Sequence, residues 1–295
     1  MNKKVAIIGS DSYIATQLYH RFEHDDLRLF TYKASAKEGE VVKDLFSIDV
    51  NDFIGVDTVI NFAAMVHLPE PKDDSDFVRV NTLLPIHLAR VAKDAGVKHY
   101  VQMSSISVYG DVTQYKEDSP YNPEGVYGRT KLNADQALVE LANDKFIISL
   151  IRPPMVYGGG LSPGNMQKII RVAMKGVPLP VKGLNNKRDV IHVYNLIEAL
   201  LLIIDQSLGG IFLPSDKKSI STEDIVDLTG VYSHTRIRKV VLPAIAKRFI
   251  VKLKPILYQK LFGDSKVVCN MPEDYQPKYK LEDGIEDIVR AIEQS

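Results

Sequence analysis

Short apolar segments alternate along the first half of the chain with segments of helical periodicity. The apolar segments are nearly continuous in Val, Ile and Phe, and they cover residues 5–8, 27–30, 58–60, 100–103 and 147–151. Apolar positions at helical spacing lie between them, at residues 13–22, 77–95 and 127–142. Strands without polar alternation suit a parallel sheet that helices cover on both faces. The pattern therefore predicts a doubly wound α/β fold of the Rossmann type.

The alternation becomes looser after about Arg152, where Pro and Gly interrupt the chain at short intervals. Helical spacing returns at residues 166–175 and 193–205. Irregular segments that follow the carboxyl ends of parallel strands commonly form the substrate side of an α/β protein. We therefore expect a nucleotide-binding domain over residues 1–155, completed by sheet contributions from later segments, and a smaller substrate lobe over residues 156–295 that is interleaved with it.

Composition and charge narrow the classes of partner. Of the 295 residues, 45% are hydrophobic and 25% are charged, as in ordinary globular proteins. The 37 basic and 37 acidic residues cancel, so no overall charge attracts nucleic acid. Cys269 is the single cysteine, which excludes a disulfide framework, and no His, Cys or carboxylate group has the spacing of metal ligands. The sequence predicts no metal and no nucleic-acid partner.

No segment has the pattern of a membrane span or a signal peptide. The longest apolar run covers residues 199–204, far below the roughly 20 residues that a spanning helix needs. The first residues pass directly into a strand-like run, unlike a secretory signal. Residues 236–260 combine basic and apolar side chains without an acid, a pattern that can lie on an anionic membrane. A lobe helix with solvated lysines is favoured there, and we expect a cytoplasmic protein.

The turn between the first strand and the first helix begins with Gly9. In dinucleotide-binding folds, the glycine-rich loop at this turn brings the pyrophosphate to the helix. Ser12 stands where such a loop has its second glycine, and Ala15 stands where the helix packs on the sheet. An ordinary turn capped by Ser12 or Asp11 explains the same residues equally well.

The end of the second strand indicates which dinucleotide the fold would hold. NAD-selective proteins have an Asp or Glu there, which bonds the ribose hydroxyls of the adenosine. The segment from Leu29 to Lys33 has no acid, whereas Thr31 and Lys33 could accept a 2′-phosphate. The sequence therefore favours NADPH modestly, with a solvated surface Lys33 as the alternative.

Tyr127 and Lys131 are four residues apart, so a helix places them on one face. A phenol has a pKa near 10, and a neighbouring ammonium favours the phenolate and can bond the ribose of a cofactor. The spacing alone is common, but Ser105 directly follows the apolar segment 100–103 and its turn. Doubly wound folds bind ligands at such strand ends. Ser105 could therefore hydrogen-bond a reacting oxygen while Tyr127 moves its proton, with an ordinary serine-rich turn as the alternative.

Seven motifs appear together in the order and spacing of the NAD-dependent epimerase/dehydratase family, which the chain resembles over nearly its whole length. They are Asp44-Leu45, Asn61-Phe62-Ala63-Ala64, Asn81, Ser104-Ser105-x-x-Val108-Tyr109-Gly110, Tyr127-x-x-x-Lys131, Arg152-Pro153-x-x-x-Tyr157-Gly158 and Arg188-Asp189-x-x-His192-Val193.

The resemblance implies that Ser105, Tyr127 and Lys131 are the catalytic residues. It also implies a cofactor site, a substrate site and a homodimer formed by the helices at residues 77–95 and 127–142. The implied cofactor residues are Gly9, Ser12, Tyr13, Ile14, Thr31, Lys33, Asp44, Leu45, Phe62, Ala63, Ala64, Asn81, Tyr127, Lys131 and Pro154. The implied substrate residues are His67, Ser105, Ser107, Met155, Asn165 and Arg188. Arg188 matches the arginine that pairs with the diphosphate of a nucleotide-sugar, a task that suits a guanidinium fork. Met155 replaces a common Asn, and His192 is expected to be structural.

The turn after Ser105 lacks the carboxyl groups that one reaction of the family needs. Dehydratases of the family have Asp-Glu where this chain has Ile106 and Ser107, so dehydration is set aside. Residues 212–216, 219–224 and 259–263 resemble bacterial 4-ketoreductases of polysaccharide synthesis. We therefore expect reduction of a UDP-4-keto-6-deoxy-N-acetylhexosamine at C4. The alternatives are a nucleotide-sugar 4-epimerase, which keeps its NAD through a full cycle, and an inactive cofactor-binding scaffold.

Overall fold

The computed structural model describes residues 3–22, 26–66, 73–243, 248, 252–253 and 263–295. The chain divides into two compact units. Unit 1 comprises residues 1–111, 117–153 and 197–213, and unit 2 comprises residues 112–116, 154–196 and 214–295. Each unit is therefore assembled from three separate stretches of sequence.

The described strands of unit 1 form one fully parallel sheet of seven strands. The strands of the chain are β1 (Val5–Ile8), β2 (Leu27–Thr31), β3 (Glu40–Val42), β4 (Thr58–Asn61), β5 (His99–Met103), β6 (Gln114–Tyr115), β7 (Ile147–Ile151), β8 (Met155–Tyr157), β9 (Arg188–His192), β10 (Gly210–Phe212), β11 (Ser219–Ile220) and β12 (Lys266–Val267). The order in the sheet is β10-β7-β5-β4-β1-β2-β3. The predicted doubly wound fold is confirmed, and its order reverses between β1 and β4, where such folds bind ligands.

Burial explains why the apolar segments became strands. Every residue of β1, β4 and β5 is buried. Helices among the described residues include α1 (Tyr13–Tyr19), α2 (Asp74–Val78), α3 (Leu84–Asp94), α4 (Gly125–Val139), α5 (Asn165–Met174), α6 (Val193–Asp205), α7 (Thr222–Tyr232) and α8 (Leu281–Glu293). Leu88, Ala89 and Ala92 of α3 pack into the same apolar core as Ala6 and Ile8 of β1. The core of unit 1 therefore joins the sheet to its covering helices.

The helix predicted at residues 77–95 is interrupted. A π-helical turn, Arg79–Leu83, separates α2 from α3. Pro85 lies in the first turn of α3 and has no N–H to donate to the carbonyl of Asn81. The wider turn therefore falls where the regular helical hydrogen bond is lost.

Unit 2 has its own small sheets and apolar core. Strand β9 pairs with β8 in parallel and with β11 in antiparallel orientation, and β12 pairs with β6. The fully buried ring of His192 stacks on Tyr279 with centroids 5.1 Å apart, and its Nδ1 accepts a hydrogen bond from the Tyr194 N–H. A Cβ on Gly158 would lie 2.3 Å from that ring. His192 is thus enclosed within unit 2, as a structural residue would be.

The described helices include none with the length and hydropathy that crossing a membrane requires. Much of the basic segment 236–260 lies outside the described residues, namely 244–247, 249–251 and 254–260. In the described part, the Lys239 ammonium forms ion pairs with Glu223 at 2.7 Å and Asp227 at 2.6 Å. These acids, from α7, neutralise one of the basic residues that the membrane interpretation would need.

A buried ion pair connects α4 to the carboxyl edge of the sheet in unit 1. Arg152 and Asp135 are each 1% exposed, and the Nε and Nη2 atoms of Arg152 lie 3.0 Å and 2.9 Å from Asp135 Oδ2. The Ser104 hydroxyl donates to the same oxygen at 2.8 Å. Arg152 Nη1 donates to the Tyr109 hydroxyl at 2.7 Å. The pair therefore ties the ends of β5 and β7 to one face of α4.

Replacing Asp135 by Asn should destabilise the protein strongly. The change leaves the buried guanidinium without a counter-charge, which costs about 3–5 kcal/mol when one partner of a buried pair is removed. Urea unfolding followed by circular dichroism measures the loss. Glu286→Gln, which removes the acid of the exposed Arg290–Glu286 pair in α8, is the control and should cost below about 1 kcal/mol. Similar losses in both variants would contradict a structural role for the buried pair.

Candidate active site

Two loops meet at the carboxyl edge of the sheet in unit 1, one after β1 and one after β4. Gly9 has φ +74°, and a Cβ added there would lie 2.7 Å from the backbone nitrogen of Ala63. The N–H groups of Gly9 and Ser10 both donate to the Phe30 carbonyl, at 2.8 Å and 3.2 Å. Glycine is thus required by both the backbone conformation and the close approach. This edge of the sheet therefore has the position and the close backbone approach that dinucleotide-binding folds use.

The remaining part of the glycine turn is an N-cap. The Ser12 hydroxyl accepts a hydrogen bond from the Ala15 N–H at 3.3 Å and caps α1. Tyr13 and Ile14 form the first turn of that helix and are partly buried. The capped-turn interpretation of these residues is therefore correct, and it coexists with the glycine approach at Gly9.

The end of β2 differs from the expectation for a phosphate site. Thr31 is fully buried, and its hydroxyl donates to the Lys33 carbonyl at 2.9 Å and accepts from the Lys33 N–H at 3.2 Å. This hydroxyl is engaged in a local turn and is not presented to a ligand. The Lys33 side chain is exposed. An acid that sequence reasoning missed, Glu40 of β3, accepts a hydrogen bond of 2.6 Å from the Ser10 hydroxyl.

The other expected cofactor residues of unit 1 lie at strand ends or in the following loops. Asp44 caps the 3-10 turn Leu45–Ser47 through the Phe46 N–H, and the Leu45 side chain is buried. Phe62, Ala63 and Ala64 directly follow β4, and Phe62 is buried. The buried Asn81 side chain accepts from the Met65 N–H at 2.8 Å and donates to its carbonyl at 2.9 Å. Asn81 thereby holds the loop after β4 in place.

The three predicted catalytic residues converge. Ser105 caps the 3-10 turn Ile106–Tyr109, accepting from the Ser107 N–H at 3.1 Å and donating to the Ser107 hydroxyl at 3.0 Å. The Tyr127 and Ser105 side chains are hydrogen-bonded to each other. Lys131, one turn further along α4 and 1% exposed, donates to the Met103 carbonyl at 2.9 Å.

A glycine makes this convergence sterically possible. A Cβ on Gly128 would lie 2.6 Å from the Ser107 carbonyl oxygen and 3.0 Å from the Pro123 Cβ. Gly128 is buried, and it directly follows Tyr127 in α4. Helix α4 can therefore approach the serine turn closely because residue 128 has no side chain. The glycine next to the tyrosine was visible in the sequence, but its purpose was not.

Burial shifts the two titratable groups of the trio in opposite directions. It raises the pKa of Tyr127 to about 12, against the effect of the Ser105 hydrogen bond. It lowers the pKa of Lys131 to about 8, against the attraction of Asp135. Tyr127 is therefore a protonated phenol at neutral pH. The expectation that the Lys131 ammonium favours the phenolate does not hold in this structure. The arrangement can donate a proton from Tyr127 to an oxygen that Ser105 also contacts.

Four of the expected ligand-binding residues belong to unit 2. Pro154 is buried directly before β8, and Met155 is the first residue of that strand. Asn165 begins α5 and is exposed, whereas Arg188 begins β9 and is partly buried. Burial lowers the pKa of Arg188, although an arginine remains charged at any physiological pH. The remaining expected substrate residue, His67, lies outside the described residues.

Comparison with known proteins identifies the family. Residues 5–212 match the model of the NAD dependent epimerase/dehydratase family. The chain belongs to this family. The resemblance inferred from the seven motifs is thereby confirmed, and this is a family of NAD-dependent enzymes that act on nucleotide sugars.

Individual relatives of this family member differ in their reactions. A UDP-glucose 4-epimerase from Vibrio cholerae is 28% identical over 100% of the chain and 97% of its own length. A dTDP-4-dehydrorhamnose reductase from Mycolicibacterium smegmatis is 31% identical over 52% of the chain and 46% of its own length. The crystal structure of a UDP-glucuronic acid 4-epimerase from Bacillus cereus in complex with NAD superposes with a TM-score of 0.79 at 17% identity, covering 98% of this chain and 96% of that one. This structural likeness shows the shared Rossmann-type fold.

Replacing Gly128 by Ala should lower catalytic efficiency without unfolding the helix. Alanine favours the helix by about 1 kcal/mol over glycine, but its methyl group would push α4 away from the serine turn. A displacement of this kind should reduce kcat/KM by about tenfold to 100-fold. Steady-state kinetics measures the effect, and thermal melting checks the fold. The control, Asn133→Ala, changes an exposed residue of α4 and should leave kcat/KM unchanged; equal losses would argue against steric control by Gly128.

Proposed function

We propose that the chain is an NAD(P)-dependent enzyme that reduces a UDP-4-keto-6-deoxy-N-acetylhexosamine at C4 in the cytoplasm, during bacterial polysaccharide synthesis. The observation that supports this most is the hydrogen bond between the Tyr127 and Ser105 side chains, at a position where burial raises the pKa of Tyr127. Lys131 stands one turn behind it on α4. The adjoining turn has Ile106 and Ser107 where elimination of water would need a carboxyl acid and base. The site therefore suits proton donation to a carbonyl oxygen.

The chemistry divides between the cofactor and the side chains of the chain. A nicotinamide cofactor, when bound, would supply a hydride to C4. Tyr127 donates its proton to the former carbonyl oxygen, which becomes the hydroxyl of the product. Ser105 donates a hydrogen bond to the same oxygen while negative charge develops on it. Lys131, as an ammonium, stabilises the phenolate that Tyr127 becomes, and it would hold the ribose of the nicotinamide.

The proposed binding residues come from both units. In unit 1, Gly9 and residues 62–64 would hold the pyrophosphate side of the cofactor, and Asp44 and Leu45 would flank the adenine. In unit 2, Arg188 would pair with the diphosphate of the substrate. Pro154, Ser107, Met155, Asn165 and His67 remain proposed contacts. The predicted preference for NADPH depends on Lys33 alone, because the Thr31 hydroxyl is engaged.

A homodimer is part of the proposal. The family resemblance implies that the helices at residues 77–95 and 127–142 form the dimer interface with the same helices of a second copy. Two large apolar side chains support this expectation, Leu83 at 51% exposure and Val139 at 54%. Leu83 directly precedes α3 and Val139 ends α4, so both belong to the helices in question.

A nucleotide-sugar 4-epimerase is the second candidate. The Vibrio cholerae relative that matches the full length of the chain is described as a UDP-glucose 4-epimerase. The same trio would serve it, with Tyr127 accepting a proton during oxidation and returning it during reduction. The presence of Ser105, Tyr127 and Lys131 together opposes the third alternative, an inactive cofactor-binding scaffold.

Replacing Tyr127 by Phe should abolish most turnover and leave dinucleotide binding nearly intact. The variant loses the proton donor, and general acid catalysis typically contributes about 100-fold to 10,000-fold. Stopped-flow measurement of kcat, together with a fluorescence titration of NADH, separates the two effects. Tyr232→Phe in α7 of unit 2 is a matched control. Substantial turnover by Tyr127→Phe would refute the proposed role of the phenol.

The choice between reductase and epimerase is tested by the fate of the cofactor. Purified protein is mixed with NADH or NADPH and a UDP-4-keto-6-deoxy-N-acetylhexosamine, and the absorbance at the nicotinamide band is followed. The reductase consumes cofactor in proportion to added keto sugar. The epimerase instead interconverts a UDP-hexose without net consumption, which nuclear magnetic resonance of the sugar detects. Absence of both reactions would reject the proposed function.

A further inference from the structure

An unexpected carboxylate lies beside the glycine turn of unit 1. It belongs to Glu40, which begins the edge strand β3 and is level with Leu29 of β2. The Ser10 hydroxyl donates to Glu40 Oε1 at 2.6 Å. The Ser35 N–H donates to Oε2 at 2.7 Å, and the Ser35 hydroxyl donates to Oε1 at 2.5 Å. Glu40 is therefore held between the glycine turn and the loop that follows β2.

The Glu40 carboxyl group is ionised at neutral pH and can accept a further hydrogen bond. Burial raises the pKa of Glu40, but hydrogen bonds from Ser10 and Ser35 and the charge of Lys37 outweigh burial and lower it. A carboxylate offers about four acceptor positions, of which the two serines fill three. One position on Oε2 is left. Glu40 is thus an oriented anion with remaining acceptor capacity.

The position of this anion corresponds to a known requirement of dinucleotide-binding folds. Such folds place the ribose of the adenosine between the glycine turn and the end of β2, where an acid accepts its hydroxyl protons. In this chain Thr31 ends β2 and has no carboxylate, but the neighbouring strand brings one to Ser10. We infer that Glu40 binds the adenosine ribose in place of the missing β2 acid and makes the chain select NADH over NADPH. This inference rests on one part of the proposed function, the binding of a dinucleotide.

The surrounding charges agree with that selection. The Lys37 ammonium donates to the Ser35 hydroxyl at 2.8 Å, and that hydroxyl in turn donates to Glu40. The Lys33 side chain is exposed, and water and salt weaken its attraction for a phosphate. Ser10, in contrast, is 1% exposed, so it fixes one side of the carboxylate from within the fold. A 2′-phosphate would meet the negative charge of Glu40 at short range, which is unfavourable.

The test is a fluorescence titration of the full chain with NADH and with NADPH, in the absence of sugar. The wild-type protein should bind NADH at least about tenfold more tightly than NADPH, because the 2′-phosphate of NADPH and the Glu40 carboxylate repel each other. Glu40→Gln keeps the size of the side chain and removes its charge. This variant should reduce the dissociation constant of NADPH, divided by that of NADH, by about tenfold.

Two control variants separate selectivity from support of the loop. Ser35→Ala removes one hydrogen bond from Glu40 and keeps the carboxylate, so the ratio should be retained. Glu38→Gln removes a negative charge from an exposed neighbour in the same loop and should also retain the ratio. If Glu40→Gln weakens both cofactors equally, Glu40 is a loop support and the inference is wrong. A wild-type protein that binds NADPH as tightly as NADH overturns it without any variant.

The outcome is independent of the reaction on the sugar. Clear preference for NADH that depends on Glu40, with no turnover of any nucleotide-sugar, would reject the proposed function and retain the inference. Reduction of the keto sugar with equal rates and equal affinities for NADH and NADPH would support the proposed function and reject the inference about Glu40. Failure of the wild-type protein to bind either dinucleotide would reject both.

Discussion

The ion pair between Arg152 and Asp135 connects all the elements that bear the catalytic trio. Arg152 directly follows β7, Ser104 directly follows β5, and Asp135 lies in α4, and these three side chains meet at one carboxylate oxygen. Two opposite charges at this depth lose their hydration, so only a well-formed set of hydrogen bonds makes their burial tolerable. The Tyr109 hydroxyl and the ring of Tyr121 complete the surroundings of the guanidinium. The angle of α4 against the sheet is therefore specified by charge as well as by packing.

The same carboxylate influences the catalytic groups through its charge. Asp135 lies one turn after Lys131 and two turns after Tyr127 on α4. Its negative charge favours the ammonium of Lys131, which burial alone would neutralise further, and disfavours ionisation of Tyr127. Burial and Asp135 act together on the phenol and against each other on the amine. Before any ligand binds, the site thus holds a proton on the residue that must donate one.

The sequence was sufficient for the features whose pattern is long and local. Continuous apolar runs predicted five strands of the sheet, and the Tyr127–Lys131 spacing predicted one face of α4, both close to the structure. The π-turn before Pro85 escaped detection, because apolar spacing continues across it. Strand β3 was missed for a different reason: it has three residues at the sheet edge, and Val41 and Val42 are exposed at 43% and 51%. With β3 unseen, Glu40 could not be placed beside Ser10.

That omission affects how the two candidate reactions are weighed. Two features of the sequence favour a reductase: the missing ribose acid at the end of β2 and the missing second glycine would each let a cofactor leave readily. Glu40 weakens the first of these reasons, because the acid is supplied by a neighbouring strand. The second reason remains: Ser12 has its hydroxyl committed to the cap of α1, and its side chain occupies the place of a glycine. The ribose contact of Glu40 strengthens cofactor binding, whereas the Ser12 side chain at the phosphate turn weakens it. The balance of these two effects decides whether the enzyme releases its dinucleotide after each turnover, as a reductase does, or keeps it, as an epimerase does.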